Sequence, residues 1–217
     1  MPQKRKAKQE PPKPPSKPPK NEPKPPTNPF NAYPTSHIYR LIEPGPVLLV
    51  TTGSLKDSSH NIMTLGFHMM MQHESPALIG ITLGPWDASF TSLHKNRECV
   101  LSVPSIEIAE KVVDIGNCSS SDSKVNKFDR FGLCAVPGEK VQAPLVGGPH
   151  VIANVECVVE DVSMVEKYSI WVLRAVKGWV NPDGGTMFHH RGQGVMVADG
   201  EVVDLGERMV KWQEFMD

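Results

Sequence analysis

Asn61-Ile62-Met63-Thr64-Leu65-Gly66-Phe67-His68-Met69-Met70-Met71 is the stretch whose reading decides the fold. Met63, Leu65, Phe67, Met69 and Met71 fall on one side of a period-2 pattern, and Thr64, Gly66 and His68 on the other. Alternation of this kind predicts a strand with one buried face. The second face is small at Thr64 and Gly66, which leaves room for a flat ligand against the backbone. An apolar run at 77–83, a short helix at 89–95 and a strand at 99–103 follow, so that residues 61–104 read as one shelf with its supports.

Working outward, Val47-Leu48-Leu49-Val50-Thr51-Thr52 is rich in β-formers, and the polar Gly53–His60 segment makes a hairpin between it and the strand at Asn61. Ser75-Pro76 and Gly84-Pro85 break the chain on either side of the 77–83 strand. Ser105 is expected to cap a helix with Ile108, Val112 and Ile115 on one face and Gly116 at its end. A serine-rich loop covers Asn117–Asn126, and Lys127–Phe131 reads as a helical turn closed by Gly132. Gly138–Pro149 reads as a loop. Val151–Asp161 and Ser169–Val180 read as long strands. A hairpin of Val195–Ala198 with Glu201–Val203 across Asp199-Gly200, and a helix over Glu207–Asp217, complete the chain. Strands outnumber helices, connections are short and no βαβ alternation occurs, so an antiparallel barrel with small inserted helices is expected. The GxG at Gly192-Gln193-Gly194 lacks the rest of a dinucleotide fingerprint.

Composition divides the chain. Twelve of the 21 prolines lie in residues 1–34, with eight Lys/Arg, two Glu and no Gly, a net charge of 8 − 2 = +6. Such a segment buries too little apolar surface to offset its ordering entropy, so disorder with polyproline II character is expected there. The remaining residues carry 15 basic and 22 acidic groups, a net −7. The folded domain is expected over residues 35–217, opening with a short helix from Thr35 or Ser36 through Ile42. The tail is compatible with an SH3/WW-type ligand or a tether to an anionic surface, and a solvated extension is the favoured reading. No aromatics interleave its lysines, which argues against nucleic acid. No apolar run approaches the roughly 20 residues that span a bilayer, and a cytoplasmic protein without membrane association is expected. Cys99, Cys118, Cys134 and Cys157 form no CxxC, so a metal knuckle or redox pair is not expected.

Thr64, Ser89, Thr91 and the 119–123 serines with Lys124 and Lys127 offer donors suited to a phosphate dianion, and Ser89 stands at a helix start, where free N–H groups favour an anion. His68 lies on the small strand face, within reach of a bound ring or as a structural residue. His189-His190-Arg191 reads as metal ligands, a charge partner for a cofactor, or a polar loop; a third metal ligand at workable spacing is missing, so no metal is expected. No GxSxG or Cys/His signature supports nucleophilic catalysis.

Taken together, Val-Leu-Leu-Val-Thr-Thr at 47–52, Asn-Ile-Met-Thr at 61–64, His-Met-Met-Met at 68–71, Ser-Pro-Ala-Leu-Ile-Gly at 75–80, Ser-Phe-Thr-Ser-Leu at 89–93 and Glu-Cys-Val-Leu-Ser-Val-Pro at 98–104 resemble the flavin reductase-like (flavoredoxin-type) FMN-binding split barrels. Gly116-Asn117, the 127–133 segment, Ala143-Pro144-Leu145, Asn154-Val155-Glu156-Cys157 and the 189–192 segment keep the family's order. The resemblance implies a mainly β, six-stranded antiparallel Greek-key split barrel with small flanking helices, usually a homodimer with FMN near the subunit interface. It implies that Asn61, Ile62, Met63, Thr64, Leu65, Gly66 and Phe67 run beneath the isoalloxazine. Ser89, Phe90 and Thr91, then Ser121, Lys124, Lys127 and Phe128, fall where the family holds the phosphate side. NADH or NADPH is the implied electron donor, a flavin-dependent enzyme the implied partner, and His68, His190 and Arg191 the candidate catalytic groups. A flavoredoxin-type carrier and a non-enzymatic interaction module are the alternatives. The chain departs from the family pattern in its longer serine loop without arginine, in Trp86-Asp87-Ala88 before Ser89, and in Gly66-Phe67.

Overall fold

The computed structural model describes residues 45–72, 75–118, 126–181, 183–190 and 195–200. Expectations for the Pro/Lys tail, the Thr35–Ile42 helix, most of the serine loop, Glu201–Val203 and the C-terminal helix lie outside those residues. The described elements are β1 (Leu48–Thr52), β2 (Asn61–Leu65), β3 (His68–Gln72), β4 (Leu78–Thr82), α1 (Ala88–Asn96), β5 (Glu98–Pro104), α2 (Ala109–Asn117) and α3 (Lys127–Phe131). They continue as β6 (Cys134–Val136), β7 (Leu145–Gly147), β8 (Val151–Asp161), α4 (Val165–Tyr168), β9 (Ile170–Val180), β10 (Phe188–His190) and β11 (Met196–Ala198).

Seven strands form one antiparallel sheet in the order β2-β1-β5-β8-β9-β4-β3. Its two edges are consecutive in sequence, joined only by Gly66-Phe67. A flat sheet of that many strands would separate its edges by about 29 Å, at roughly 4.8 Å per strand. Three residue steps cover at most about 11 Å, so the sheet must curl until its edges approach. One contact marks the approach: His68 Nε2, at the start of β3, lies 2.7 Å from the carbonyl oxygen of Pro46, just before β1. The curled sheet with few small helices is the mainly β split-barrel architecture that the resemblance implies. It has seven strands rather than six because the 61–71 run breaks in two at Gly66.

That break corrects the reading of 61–71 as one strand with one buried face. Leu65 and the half-buried Met63 do point into the barrel core, but Phe67, Met69, Met70 and Met71 are exposed. Beyond Gly66 the chain has moved to the other sheet edge, where Met69 and Met71 lie over Gly80 of β4. The opposite face of β2 is covered. Ile62 sits in a second core with Val112, Ile115 and Phe128, and the Thr64 hydroxyl donates to the Val112 carbonyl.

β1 explains why Val47–Val50 is apolar without interruption. Leu48 and Val50 face the barrel interior, whereas Val47 and Leu49 face the second core under α2 and α3. A strand buried on both faces carries no polar alternation. Further differences are local. Gly138–Pro149 contains β7, paired with β6. Met196–Ala198 pairs with Phe188–His190 as β10-β11, a pairing not expected from sequence. The Ser105 helix begins as a 3-10 turn at Ile106–Ile108, and Ser105 makes no side-chain cap.

The β1–β2 turn depends on one glycine. Gly53 has φ +81°, and a Cβ there would lie 2.3 Å from the Ser59 carbonyl oxygen. Gly53→Ala is therefore expected to cost at least about 1–3 kcal/mol, lowering Tm by several degrees at roughly 2–4 °C per kcal/mol. Gly178→Ala, where a Cβ meets nothing within 4 Å, is the control, and equal melting of the two variants would contradict the argument.

Candidate functional site

Four elements converge on a cleft of about 220 Å³. β2 contributes Asn61, Met63 and Thr64; the turn into α1 contributes Trp86, Asp87, Ala88 and Ser89; the end of α2 contributes Ile115, Gly116, Asn117 and Cys118; α3 contributes Lys127. The end of α2 packs against β2 at Gly116, where a Cβ would come into van der Waals contact with Thr64 Cβ at 3.4 Å.

α1 begins after the Gly84-Pro85 break. Its N-cap residue, Asp87, makes no side-chain bond to the helix. The carboxylate turns back instead and accepts from the Gly84 amide at 2.9 Å. The helix start thus lacks the side-chain acceptor that normally occupies its first-turn N–H groups, and its positive dipole end favours an anion. Ser89 is buried in that first turn, and its Oγ accepts from Asn61 Nδ2 at 3.0 Å. The Ser89 proton remains available to donate.

Across the cleft, Lys127 is only 5 % exposed. Its Nζ donates to the Ile115 carbonyl at 3.3 Å, and among the described residues no carboxylate pairs with it. Burial pushes the lysine pKa down, which outweighs an opposing electrostatic influence from the neighbouring Cys118. With one long neutral partner among the described residues, the buried ammonium is under-compensated by them. Asn126 Oδ1 accepts from the Phe128 amide at 3.0 Å and starts α3, and Gly132 ends it at φ 61°, which fixes where Lys127 leaves the backbone. An under-compensated cation, a hydroxyl donor and an uncapped helix start suit a phosphate.

Of the residues expected from sequence, Asn61, Met63, Thr64, Ser89 and Lys127 are brought together in this wall. Ile62, Leu65 and Phe128 are core residues whose side chains are buried. Phe90 packs edge-on to Trp171 with centroids 5.5 Å apart, and Thr91 is exposed on α1 outside the wall. Gly66 and Phe67 form the crossing to β3. His68 is bound at Pro46 on β3, and His190 lies in β10, neither of them lining the cleft. His189 Nδ1 stands 3.9 Å from Asp199 Oδ1. Ser121, Lys124 and Arg191 lie outside the described residues. The candidates missed from sequence are Trp86, Asp87, Ala88 and residues Ile115 to Cys118 at and just beyond the end of α2. Gly116-Asn117 was their signal, since a glycine ending an amphipathic helix marks a close approach as readily as a cap.

Comparison with known proteins gives the same picture. An uncharacterized protein of Pyrococcus abyssi is 27% identical over 134 residues, 62% of this chain and 73% of its own. The structure is similar to an FMN-binding domain of a flavin reductases-like enzyme from Shewanella baltica, with TM-score 0.66 and 18% identity, covering 80% of this chain and 96% of that one. It is also similar to flavoredoxin of Desulfovibrio vulgaris, with TM-score 0.64 and 22% identity, covering 73% and 88%. Residues 39–196 match the family model of the flavin reductase like domain, so the chain belongs to the flavin reductase-like family.

Proposed function

We propose that the cleft holds the phosphate end of FMN and that the protein is an FMN-binding oxidoreductase, a flavin reductase drawing electrons from NADH or NADPH. The observation that carries this reading is Lys127, a buried cation facing Ser89 and an uncapped helix start across one cleft and lacking an anionic partner among the described residues. These groups fit a flavin monophosphate. Lys127 supplies charge, Ser89 a hydrogen bond held in aim by Asn61, and the first turn of α1 its free amides. Thr64 and Met63 line the same cleft and would border the ring. The Thr64 hydroxyl is already committed to Val112, so the polar edge of the ring would be met by backbone groups of β2. Bound flavin supplies the redox chemistry, accepting a hydride from the nicotinamide and passing electrons onward.

Membership of a family that includes flavin reductases favours the reductase over a flavoredoxin-type carrier, although flavoredoxin shares this fold. The exposed Phe67, Met69 and Met70 along the β3 edge are consistent with a homodimer, as such apolar surface is rarely left to water. A flavin-dependent partner enzyme, cytoplasmic location and a domain spanning 35–217 belong to the same reading. Among the described residues no helix is long and apolar enough to cross a membrane.

The purified protein should take up FMN at micromolar concentration with a shifted visible spectrum; no uptake would end this reading. Ser89→Ala/Lys127→Ala should weaken FMN binding about 10–100-fold, the range for losing charge-assisted hydrogen bonds, while riboflavin affinity changes little. Unchanged FMN affinity would move the phosphate elsewhere. Oxidation of NADH or NADPH with added free flavin separates the reductase from the carrier.

A further inference from the structure

We propose that Trp86 is a stacking platform for the adenine base of a dinucleotide whose phosphates enter the cleft, an inference that rests on the flavin reading above. Trp86 is 76 % exposed yet lines the cleft. An indole left largely to water is costly, and here it is held rather than free. The turn carrying it is closed twice by Asp87, whose amide donates to the Gly84 carbonyl at 2.9 Å and whose carboxylate accepts from the Gly84 amide at 2.9 Å. A Cβ on Gly84 would lie 2.3–2.5 Å from the indole Cζ2, Cη2 and Cε2 atoms. The ring therefore packs directly onto the Gly84 backbone, and only glycine permits that seat. The result is a pre-oriented aromatic surface, which stacks a planar base at little entropic cost.

Its place along the cleft decides which ring it meets. Asn61 touches Ser89 at 3.0 Å, and Thr64 lies about 10 Å further along β2, at roughly 3.3 Å per residue. Trp86 is three residues before Ser89 and belongs to the helix-start end, where Ser89 and the first-turn amides call for phosphate. FMN ends at its phosphate and leaves this surface unused. A dinucleotide continues past the phosphate into a second phosphate and an adenine, and base stacking on an aromatic side chain is worth a large share of such an affinity. The adenine comes either from FAD bound in place of FMN or from the nicotinamide dinucleotide, whose phosphates would then compete with the FMN phosphate for the cleft.

The test titrates the full chain and its Trp86→Ala and Trp86→Phe variants with FMN, FAD and ADP, and measures the KM for NADH. The expected result is a loss of about 10-fold in ADP affinity for Trp86→Ala, recovered by Trp86→Phe, with FMN affinity changed less than 2-fold. A parallel loss for FAD assigns the adenine to the flavin. A raised KM for NADH with FAD no tighter than FMN assigns it to the nicotinamide dinucleotide. Either supports the platform. Equal losses for FMN and FAD would show that Trp86 covers the isoalloxazine and would overturn it, as would an unchanged ADP affinity. If no flavin binds at all, the flavin reading fails, and the ADP result still decides the platform.

Discussion

Trp171→Ala is expected to destabilise the protein by about 3–5 kcal/mol, the range for deleting a buried aromatic side chain, and to lower Tm by roughly 10 °C. Trp171 on β9 is fully buried in the barrel core with Leu83, Leu93, Leu173 and Cys157. Its indole Nε1 donates to the Leu83 carbonyl at 2.8 Å, and the Leu83 amide in turn donates to the Ser169 carbonyl at 2.9 Å. The ring also meets Phe90 and His94 of α1 edge-on, with centroids 5.5 and 6.2 Å away. Removing it opens a cavity and orphans a buried carbonyl. It also takes away the surface on which α1 rests. Because Ser89 precedes Phe90 directly, the effect should reach the cleft, and FMN affinity should fall in Trp171→Ala although Trp171 lines no part of it. Trp171→Phe separates the two contributions, since it keeps most of the packing and loses only the hydrogen bond, a cost of about 1–3 kcal/mol. Urea denaturation of the three proteins measures this. A loss below about 1.5 kcal/mol for the alanine variant would mean that the barrel collapses around the site, and α1 would then not depend on it.

Much of this arrangement was legible in the residues. β1, β5, β8 and β9 announce themselves because each has long β-rich runs, and β1 reads as apolar throughout because two cores claim its two faces. The run at 61–71 misleads for a physical reason. Its alternation is continuous, but barrel closure needs a crossing at Gly66-Phe67, and past it the methionines line an exposed edge. Periodicity records which residues share a face and not what covers that face. The same limit explains Thr64: its small side chain reads as room for a ligand, whereas α2 takes part of that room through Gly116. At the site, Ser89 and Lys127 were recognisable as polar groups in helix-start contexts, whereas Asn61 entered only through the family resemblance. The burial of Lys127, the outward-facing first turn of α1 and the seating of Trp86 on Gly84 depend on tertiary approach, which local sequence does not encode. Asp87 illustrates this, because its carboxylate bonds to the Gly84 amide and not to the helix it precedes.

Glu156→Ala should also cost about 3–5 kcal/mol, and unlike Trp171 its contribution should depend on pH. Glu156 lies on β8, fully buried. Its carboxylate accepts from the amides of Glu139 at 3.1 Å, Lys140 at 2.6 Å and Val141 at 2.9 Å, and from Trp179 Nε1 at 2.7 Å. One side chain thus anchors the 138–141 loop to β8 and β9. Alanine would leave four donors without their acceptor, each worth about 1–3 kcal/mol where water cannot replace it; the exposed flanks of Glu139 and Lys140 keep the sum below the maximum. The surface ion pairs of Glu139 with Lys140 and Lys177, at 3.1 and 3.3 Å, are too exposed to compensate. Burial, the largest single influence, pushes the Glu156 pKa up, but the donors from Trp179, Lys140, Glu139 and Val141 together outweigh it and hold it below the ordinary glutamate value. A folded-state pKa lower than the unfolded one, about 4.3, stabilises the protein fully above that value and ceases to do so as pH falls through the folded pKa. Glu156→Gln keeps one acceptor oxygen and does not titrate, so it should cost less than alanine at pH 7, about 1–3 kcal/mol. Its deficit against the parent chain should shrink as pH is lowered from about 5 toward 3, as protonation removes the parent's advantage. Urea midpoints across that range read the deficit. A gap that stays constant would mean that Glu156 gains nothing from its ionised form, leaving shape alone to hold the loop.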